Sequence, residues 1–448
     1  MNLSFKGNCW PGGCIRLAAA GFALAVLAGC SSSSNTLGGL LGGEEEKIGG
    51  ARESVVAQSG ALKPDAALLA EPMNIPPAQT NSNWSQAGGS PDHVMGNLAI
   101  SSSPRRVWNV RVGTGSTKKG RLTVQPVTGG GRIYIMDTAG AVGAFSTSNG
   151  AKVWTISIVP KGEDVQGAVG GGVAYHQGRL YVTTPFAEIL SLSATNGSLV
   201  WRKKLNVPSH AAPTISNGRI FVVGVTNEVQ ALSVNDGSPI WSHQGVGEKA
   251  SRASSTSAAV SGNNLVVPFT TGEVLGFNAS TGFTQWGDAL SGSNRFGASS
   301  ILADVSARPV IASGHAYAIA HTGSMAAFRL GDGDIAWSLG VSGTQMPWLV
   351  GDYLFTVVNR NTLSAISRTR GRARWSMRLS ESSEWAGPVM GNGALITASS
   401  SGQMAFVSPE NGKVLRQIDL DEPVYISPII SDGTLYVLTD EATLMAFR

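Results

Sequence analysis

Short apolar runs separated by Gly, Asn, Asp and Ser recur along the chain from about residue 106 to its last residue. The runs are four to six residues long and rich in Val, Ile, Tyr and Phe, as in 131–135, 178–182 and 229–232. Runs of this length and composition, bounded by turn residues, are typical of β-strands joined by hairpins. Sustained helical periodicity is almost absent from this region. The pattern therefore predicts an all-β domain.

A tight turn followed a few residues later by tryptophan marks each repeat. Asn149-Gly150 precedes Trp154 in this way, and a degenerate copy carries Leu415 at the tryptophan position. The tryptophans of the repeats are Trp108, Trp154, Trp201, Trp241, Trp286, Trp337 and Trp375. Anchors from Trp154 onwards follow one another at intervals of 38 to 51 residues. A period in this range predicts a ring of four-stranded sheets, the blades of a β-propeller.

The two ends of the repeat region complement each other. The last unit stops at Arg448 before its turn and tryptophan, while the strand 106–110 carries Trp108, in register 46 residues before Trp154. We therefore predict an eight-bladed β-propeller of four-stranded antiparallel blades, with the last blade closed by an N-terminal strand. Because one blade cannot bury both faces alone, each tryptophan is expected to pack between blades. The alternative, an aromatic ladder that stacks on a ligand, is less favoured.

The first thirty residues have the pattern of a secretory signal. Lys6 and Arg16 precede the apolar stretch 17–27, which is too short to span a bilayer. The tetrapeptide that ends at Cys30 resembles the lipobox of bacterial lipoproteins, and this resemblance implies that Cys30 is the first mature residue and is lipidated. Ser31 follows it, with no Asp there to indicate inner-membrane retention, so the resemblance implies a periplasm-facing anchor in the outer membrane. An ordinary signal peptide cut nearby is the alternative.

Composition divides the chain into three parts. Residues 1–29 are expected to form the signal peptide and residues 30–80 a lipidated cysteine with a flexible, Ser-, Gly-, Ala- and Pro-rich tether. A short helix is compatible with the sequence near 66–69. Residues 81–448 are expected to form the propeller.

The search for catalytic chemistry returns none. The six histidines are scattered without metal-ligand spacing, and neither a nucleophile elbow nor a P-loop is present. No cysteine follows Cys30. Glu381 and Glu384 are most simply explained as part of a solvated loop. The net charge of +4 shows no basic clustering of the kind that nucleic-acid binding needs. We therefore predict no catalytic residue, no metal site, no cofactor and no nucleic-acid partner.

The repeat resembles that of pyrroloquinoline-quinone (PQQ) dehydrogenases, and residues 83–89 resemble their N-terminal segment. Those enzymes hold calcium and quinone with carboxylate and amide ligands beside a pair of adjacent cysteines. This chain lacks the cysteines and shows no matching cluster. A PQQ-dependent periplasmic dehydrogenase, or a degenerate relative of one, therefore stays the alternative function. A propeller that binds peptidoglycan or another envelope polymer is a further one.

Signal with lipobox, tether and ring together resemble the BamB family of outer-membrane assembly factors. This resemblance covers the whole chain. It implies a non-enzymatic lipoprotein scaffold of the BAM complex, which binds the periplasmic POTRA domains of BamA and supports folding and insertion of outer-membrane β-proteins. Other components of that complex would then be partners too.

Two loops carry the contact surface of that family, and the resemblance assigns residues in both. In the first loop Arg252 matches the family arginine, next to Ser251. In the second, Asp304 matches, followed by Val305, and Ser306 replaces a second aspartate. Loops on a rigid ring often carry binding function, although a solvated or intramolecular ion pair is the equal alternative for these charges. Further loop candidates are His210 and Trp348.

Overall fold

A computed structural model describes residues 62–118, 120–165, 170–245, 256–290, 307–321 and 323–448. These residues form eight four-stranded antiparallel sheets, together with one short helix, α1 (Ala66–Ala70). The predicted eight-bladed propeller is thus confirmed. Residues 1–61 lie outside the described part, including Cys30 and the whole expected signal peptide.

The blades are numbered along the chain. Blade 1 comprises β2 (Val127–Gly129), β3 (Arg132–Met136), β4 (Ala141–Ser146) and β5 (Lys152–Ser157). Blade 2 comprises β6 (Gly172–His176), β7 (Arg179–Thr184), β8 (Glu188–Ser193) and β9 (Leu199–Lys204). Blade 3 comprises β10 (Thr214–Ser216), β11 (Arg219–Val223), β12 (Glu228–Ser233) and β13 (Pro239–Gln244). Blade 4 comprises β14 (Ala259–Ser261), β15 (Asn264–Pro268), β16 (Glu273–Asn278) and β17 (Thr284–Ala289).

The remaining blades follow the same order. Blade 5 comprises β18 (Val310–Ala312), β19 (His315–Ile319), β20 (Met325–Arg329) and β21 (Ile335–Leu339). Blade 6 comprises β22 (Trp348–Val350), β23 (Tyr353–Val358), β24 (Thr362–Ser367) and β25 (Ala373–Arg378). Blade 7 comprises β26 (Trp385–Gly391), β27 (Ala394–Ser399), β28 (Gln403–Val407) and β29 (Val414–Asp419). Blade 8 comprises β30 (Ile429–Ser431), β31 (Thr434–Leu438), β32 (Thr443–Phe447) and, as its outermost strand, β1 (Arg106–Arg111).

Burial differs between strands as stacked blades require. The middle strands are buried along nearly their whole length, as in β31 and β32, because a neighbouring blade covers each face. In the outermost strands β1, β5 and β13, half-buried residues alternate with exposed ones. The hydrophobic core therefore lies between the blades and not within any one of them.

The repeat tryptophans join each blade to the next. The indole Nε1 of five of them donates to a backbone carbonyl in the following blade's last turn, at 2.7–3.1 Å; the donors are Trp154, Trp241, Trp286, Trp337 and Trp375, and the acceptors Ala194, Ala279, Leu330, Arg368 and Pro409. The glycine of that turn lies against the indole, and its positive φ lets the chain reverse there. The turn and the tryptophan of the sequence repeat are thus the two halves of an interblade contact.

The tryptophan position of blade 7 is occupied by Arg416, so the sequence-based assignment of Leu415 to it was wrong by one residue. Arg416 follows the glycine of its turn by four positions, as each repeat tryptophan does, and it lies beside the bulge of β29. Its Nη1 donates to the Pro104 carbonyl at 3.2 Å, next to blade 8. Blade 8 has no glycine turn for an indole to stack on, because its outer strands come from opposite ends of the domain; Arg448 and Arg105 meet there through paired backbone hydrogen bonds of 2.8 and 3.0 Å. Leu415 alternates with Arg416 along the strand and is 61% exposed.

Gly371→Ala is expected to destabilise the fold by about 2–3 kcal/mol. The φ of Gly371 is +63°, which strains any residue with a Cβ, and the added Cβ would lie 2.5 Å from the ring of Trp337. The loss of stability is therefore the sum of backbone strain and overpacking. Gly262→Ala is the matched control: its φ is +59° and no atom lies within 4 Å, so we expect a loss of only about 1 kcal/mol. Urea unfolding measures both variants. Equal losses would show that the indole contact contributes nothing.

Residues 81–98, here named the axial segment, touch the innermost strand of each described blade in turn. Successive residues of this segment hydrogen-bond to blades 8, 1, 2, 3, 4, 5, 6 and 7, in ring order, at 2.6–3.1 Å. The contacts join Asn81 to Asp432 and Ile430, Trp84 to Thr128, Ser85 to Tyr175, Gln86 to Ile215, Pro91 to Val260, Asp92 to Ile311, Gly96 to Trp348, and Leu98 to Met390 and Asn392. Because the innermost strands surround the propeller axis, the segment satisfies backbone groups that face the axis.

Candidate partner-binding face

The antiparallel topology sorts the loops onto two faces. The outermost strand of each blade ends on the same face of the ring on which the innermost strand of the next blade begins. All connections between blades therefore lie on one face, named here the connection face. The glycine turns beside the tryptophans share the opposite face, named here the turn face. The connections between β13 and β14 and between β17 and β18 border blade 4 on its two sides.

The residues expected to bind a partner fall in these two connections. Ser251 and Arg252 lie between β13 and β14, and Asp304, Val305 and Ser306 lie between β17 and β18. All five lie outside the described residues. The described strands on either side of both connections end on one face, and the role of these five residues stays a prediction.

The flanks of both connections are firmly held. The Gly245 backbone N–H donates to the Asn227 carbonyl at 3.0 Å, where the first connection begins. The Leu290 N–H donates to the Gly272 carbonyl at 2.8 Å, and the Leu290 side chain is buried. Ala307, at the end of the second connection, is buried too. Loops between such fixed ends are presented by a rigid scaffold, which is the usual arrangement of a binding loop.

Arg308 was not singled out by the sequence analysis. It directly follows Ala307, its Nε is buried, and that atom has no hydrogen-bond partner. Burial lowers the pKa of Arg308 to about 10, which still leaves the guanidinium charged at neutral pH. A buried guanidinium nitrogen without a partner is costly. No sequence motif marks Arg308.

His93 of the axial segment lies beside Arg308. Its ring Nδ1 is 2.6 Å from the Pro309 carbonyl, and its Nε2 is buried without a partner. Burial lowers the pKa of His93 to about 4, and the positive charge of Arg308 lowers it further. The hydrogen bond to Pro309 and the negative charge of Asp92 raise the pKa, but they do not outweigh the burial. The imidazole is therefore neutral at pH 7 and donates from Nδ1 to Pro309. This bond ties the axial segment to the end of the second connection.

The two further loop candidates have different surroundings. His210 lies in the connection between β9 and β10, where burial lowers the pKa of its imidazole. Trp348 is not on a loop: it begins β22 and is buried, with its ring stacked on Trp84 at a centroid distance of 5.9 Å. Its indole Nε1 donates to the Gly96 carbonyl at 3.0 Å. Trp348 thus holds the axial segment and is not available to a partner.

Comparison with known proteins agrees with this architecture. The family model of the outer membrane protein assembly factor BamB matches residues 140–377 and 360–448. The chain belongs to the BamB family. BamB of Salmonella typhimurium is 29% identical over 355 residues, covering 77% of this chain and 88% of the relative. BamB of Escherichia coli K12 is 28% identical over 353 residues, covering 76% and 88%.

Solved structures show the same fold. The crystal structure of BamB from Moraxella catarrhalis superposes with a TM-score of 0.66 at 15% identity, covering 77% of this chain and all of that one. The quinohemoprotein alcohol dehydrogenase of Comamonas testosteroni reaches a TM-score of 0.65 at 13% identity, covering 83% of this chain and 81% of that one. Identities this low establish the fold alone. The dehydrogenase match raises the question whether this BamB-family chain has the residues for a quinone and its metal.

The residues of the described part do not fit such a cofactor. No group of three His, Cys, Asp or Glu side chains comes together in those residues, and the sequence has no cysteine after Cys30. Calcium needs six to eight oxygen ligands, mostly carboxylate and carbonyl. In the axial segment, Trp84 and Trp348 stack directly on each other with planes 7° apart, so no ligand ring lies between them.

A cleft of about 440 Å³ opens on the connection face beside blades 1 and 2. Its apolar wall includes Leu122, Met136 and Phe186. Its one carboxylate, Asp137, accepts backbone N–H groups of Thr114, Ala139 and Ala141 at 2.8–3.0 Å. That carboxylate holds loops together and is not free for general acid or base work. Within the described ranges, no helix combines the length and apolar composition needed to cross a bilayer.

Proposed function

We propose that this chain is a non-enzymatic scaffold of the outer-membrane β-barrel assembly (BAM) complex, which binds POTRA domains of a BamA-like barrel protein and aids folding and insertion of outer-membrane proteins. The observation that carries the proposal is membership of the BamB family in a complete eight-bladed ring. The absence of a fitting donor set for calcium and quinone among the described residues supports a role without catalysis.

The connection face is the proposed docking surface. Arg252 and Asp304 belong to connections that border the same blade, and the described flanks of these connections are fixed by backbone hydrogen bonds. A cation and a carboxylate on adjacent loops would set the register of a partner with complementary charges. Other components of the complex would then bind elsewhere on the ring.

A lipid on Cys30 would attach the scaffold to the outer membrane, with the ring in the periplasm. In this proposal residues 1–29 are the removed signal peptide, 30–80 the lipidated tether, and 81–448 the propeller. A lipid anchor holds a protein at a bilayer without spanning it. Part of the tether contacts the ring: Asp65 pairs with Arg372 at 3.1 Å.

The test of this function is affinity purification of the tagged protein from membranes in mild detergent, followed by mass spectrometry. We expect a barrel protein with POTRA domains in stoichiometric amount. Recovery of no such protein would contradict the scaffold role. Association with isolated cell-wall sacculi instead would support the polymer-binding alternative, and visible absorbance of a bound quinone would support the dehydrogenase alternative.

Charge reversal in the two loops tests the docking surface. Arg252→Glu combined with Asp304→Arg is expected to weaken partner binding about tenfold, about 1.4 kcal/mol, because both contacts become repulsive. Unfolding should change by less than about 0.5 kcal/mol, as for surface substitutions. The matched control exchanges charges on two exposed residues of the last turn of blade 7, on the turn face, Glu410→Arg with Lys413→Glu. A large loss of stability in the first variant would assign these residues to the fold.

A further inference from the structure

Positive charge is concentrated in one part of the ring. Residues 105–204 contain thirteen Lys and Arg against four Asp and Glu, whereas the whole chain has a net charge of only +4. This stretch supplies the outermost strand of blade 8 and the whole of blades 1 and 2, which are neighbours. The excess therefore belongs to three adjacent blades.

Much of this charge lies on the outermost strands β1, β5 and β9, named here the basic rim. The exposed cations of these strands are Arg106, Arg111, Lys152, Arg202, Lys203 and Lys204. Arg202 pairs with Glu188 at 3.4 Å, and none of the other five forms an ion pair with any described residue. Hydrogen bonds from Ser238 and, to a smaller extent, the charge of Lys203 lower the pKa of Asp236, so Lys203 has a nearby acidic group. The rim thus presents four cations, on β1, β5 and β9, without an acidic partner in the described part of the chain.

Exposed aliphatic side chains lie among these cations. Val107, Val153 and Val200 each precede a repeat tryptophan and are 48%, 44% and 46% exposed; Leu199 is 54% exposed. Valine and leucine at this exposure leave apolar area in water on three neighbouring strands. The tryptophan that follows faces the interblade contact, so its neighbour in the strand points the other way.

The edges of the rim strands are open. β1, β5 and β9 each pair with one strand only, namely β32, β4 and β8. At blade 6 the chain itself occupies the corresponding edge: the Asp65 N–H donates to the Ala373 carbonyl of β25 at 2.8 Å. Arg374, buried there, donates to the Glu71 carbonyl at 2.7 Å. One outer edge of this ring thus already bonds to another stretch of the chain, through one backbone hydrogen bond and the buried Arg374.

We propose that the basic rim binds an extended acidic polypeptide segment by strand addition. Such a segment would pair its backbone with the open edge, cover the exposed aliphatic side chains and neutralise the free cations. An anionic bilayer would cover the aliphatic side chains and neutralise the cations, but it would not pair with the strand edge. The N–H and C=O groups of that edge would then lie at an apolar boundary without partners. The inference does not depend on docking through Arg252 and Asp304.

Protection of strand edges does not explain the charge. Lysines on an edge strand discourage unwanted pairing, and such protection would be needed equally around the ring. The outermost strands β13 and β21 contain no Lys, Arg, Asp or Glu. The outermost strands β25 and β29 do carry arginines, but each of these has a partner: Arg374 donates to the Glu71 carbonyl, Arg378 pairs with Glu381, and Arg416 donates to the Pro104 carbonyl. Cations without an ion-pair partner on the outermost strands are therefore concentrated on β1, β5 and β9, as expected for a binding site of defined sign.

The test uses two synthetic peptides, ten residues long, in which valine alternates with glutamate or with lysine. Fluorescence anisotropy should show binding of the acidic peptide, weakened by salt, and little binding of the basic one. Lys152→Glu, Lys203→Glu and Lys204→Glu together should weaken acidic-peptide binding at least tenfold. The matched control, Lys63→Glu, Arg360→Glu and Lys413→Glu, makes the same change of charge on exposed residues away from the rim and should bind as the unaltered protein does.

Hydrogen exchange separates strand addition from other modes. The acidic peptide should slow exchange at alternate amides of β1, β5 or β9. Unchanged exchange there, equal binding of the basic peptide, or equal loss in the control variant would each overturn the proposal. Loss of binding to phosphatidylglycerol vesicles in the rim variant, without peptide binding by the unaltered protein, would assign the rim to a membrane surface. Recovery of the barrel partner by affinity purification is a separate result and tests the assembly role alone.

Discussion

Trp84→Ala is expected to lower the free energy of unfolding by about 3–5 kcal/mol, the usual range for a fully buried aromatic residue. The Trp84 side chain is 0% exposed and stacks on Trp348, so its removal leaves a cavity against a second large ring. The Thr128 N–H of blade 1 also donates to the Trp84 carbonyl at 2.7 Å. Loss of the ring thus weakens a link between blade 1 and blade 6, which contributes Trp348. Urea unfolding followed by circular dichroism measures the effect.

Trp84→Phe is the matched control, because it keeps an aromatic ring on Trp348 and removes only part of the buried volume. We expect it to cost about half as much as the alanine variant. Exposed Leu415→Ala should cost less than about 0.5 kcal/mol. A loss below about 1 kcal/mol for Trp84→Ala would mean that the ring closes without its axial segment, and the hydrogen bonds of that segment would then be of little energetic weight.

The propeller was predictable from sequence because its determinants are local and repeated. A glycine turn and a tryptophan a few residues later recur at a fixed period, and the structure shows that they meet across neighbouring blades, as Gly371 does with Trp337. The repeat of blade 7 could also be recognised as degenerate, but its tryptophan position was assigned one residue early, since Arg416 and not Leu415 lies there. Blade 8 lacks the glycine turn that an indole would stack on, and this absence follows from the closure by β1.

The axial segment was not predictable in the same way. Each of its residues contacts a different blade, and Gln86 reaches Ile215 across 129 positions of chain. Such contacts leave no periodic signal, so the sequence places Trp348 on a loop although Trp84 buries it. The burial of His93 was missed for the same reason: it depends on a long-range contact and on no motif.

The partner-binding residues are a different case. Arg252 and Asp304 were assigned by resemblance to a family, and no physical pattern in their loops distinguishes a contact residue from a solvated one. The described residues add only the flanks of these two connections, on either side of blade 4, which backbone hydrogen bonds hold in place. The basic rim was overlooked at the sequence level because the net charge of +4 averages a basic part with a slightly acidic remainder.

Stability is expected to fall between pH 6.5 and pH 4 because of His93. Its pKa is about 4 in the folded protein, below the ordinary 6.5, so the unfolded chain binds a proton in this window and the folded protein does not. Folding therefore loses up to about 3 kcal/mol as the pH falls through the window, at about 1.4 kcal/mol per pH unit, and the loss is complete below pH 4. The lowered pKa values of His176 and His210 act with the same sign.

His93→Gln isolates this contribution. At pH 7 the variant should be less stable than the unaltered protein, because the hydrogen bond to Pro309 and the packing around the imidazole change. The gap between the two should narrow by about 2 kcal/mol at pH 4.5, since glutamine does not titrate. Trp84→Phe weakens the same segment without removing a titrating group, so its curve should run parallel to that of the unaltered protein. Parallel curves for His93→Gln as well would show that His93 is not the titrating group. A converging curve would show that acid loosens the axial segment at Pro309, directly beside the end of the connection that carries Asp304.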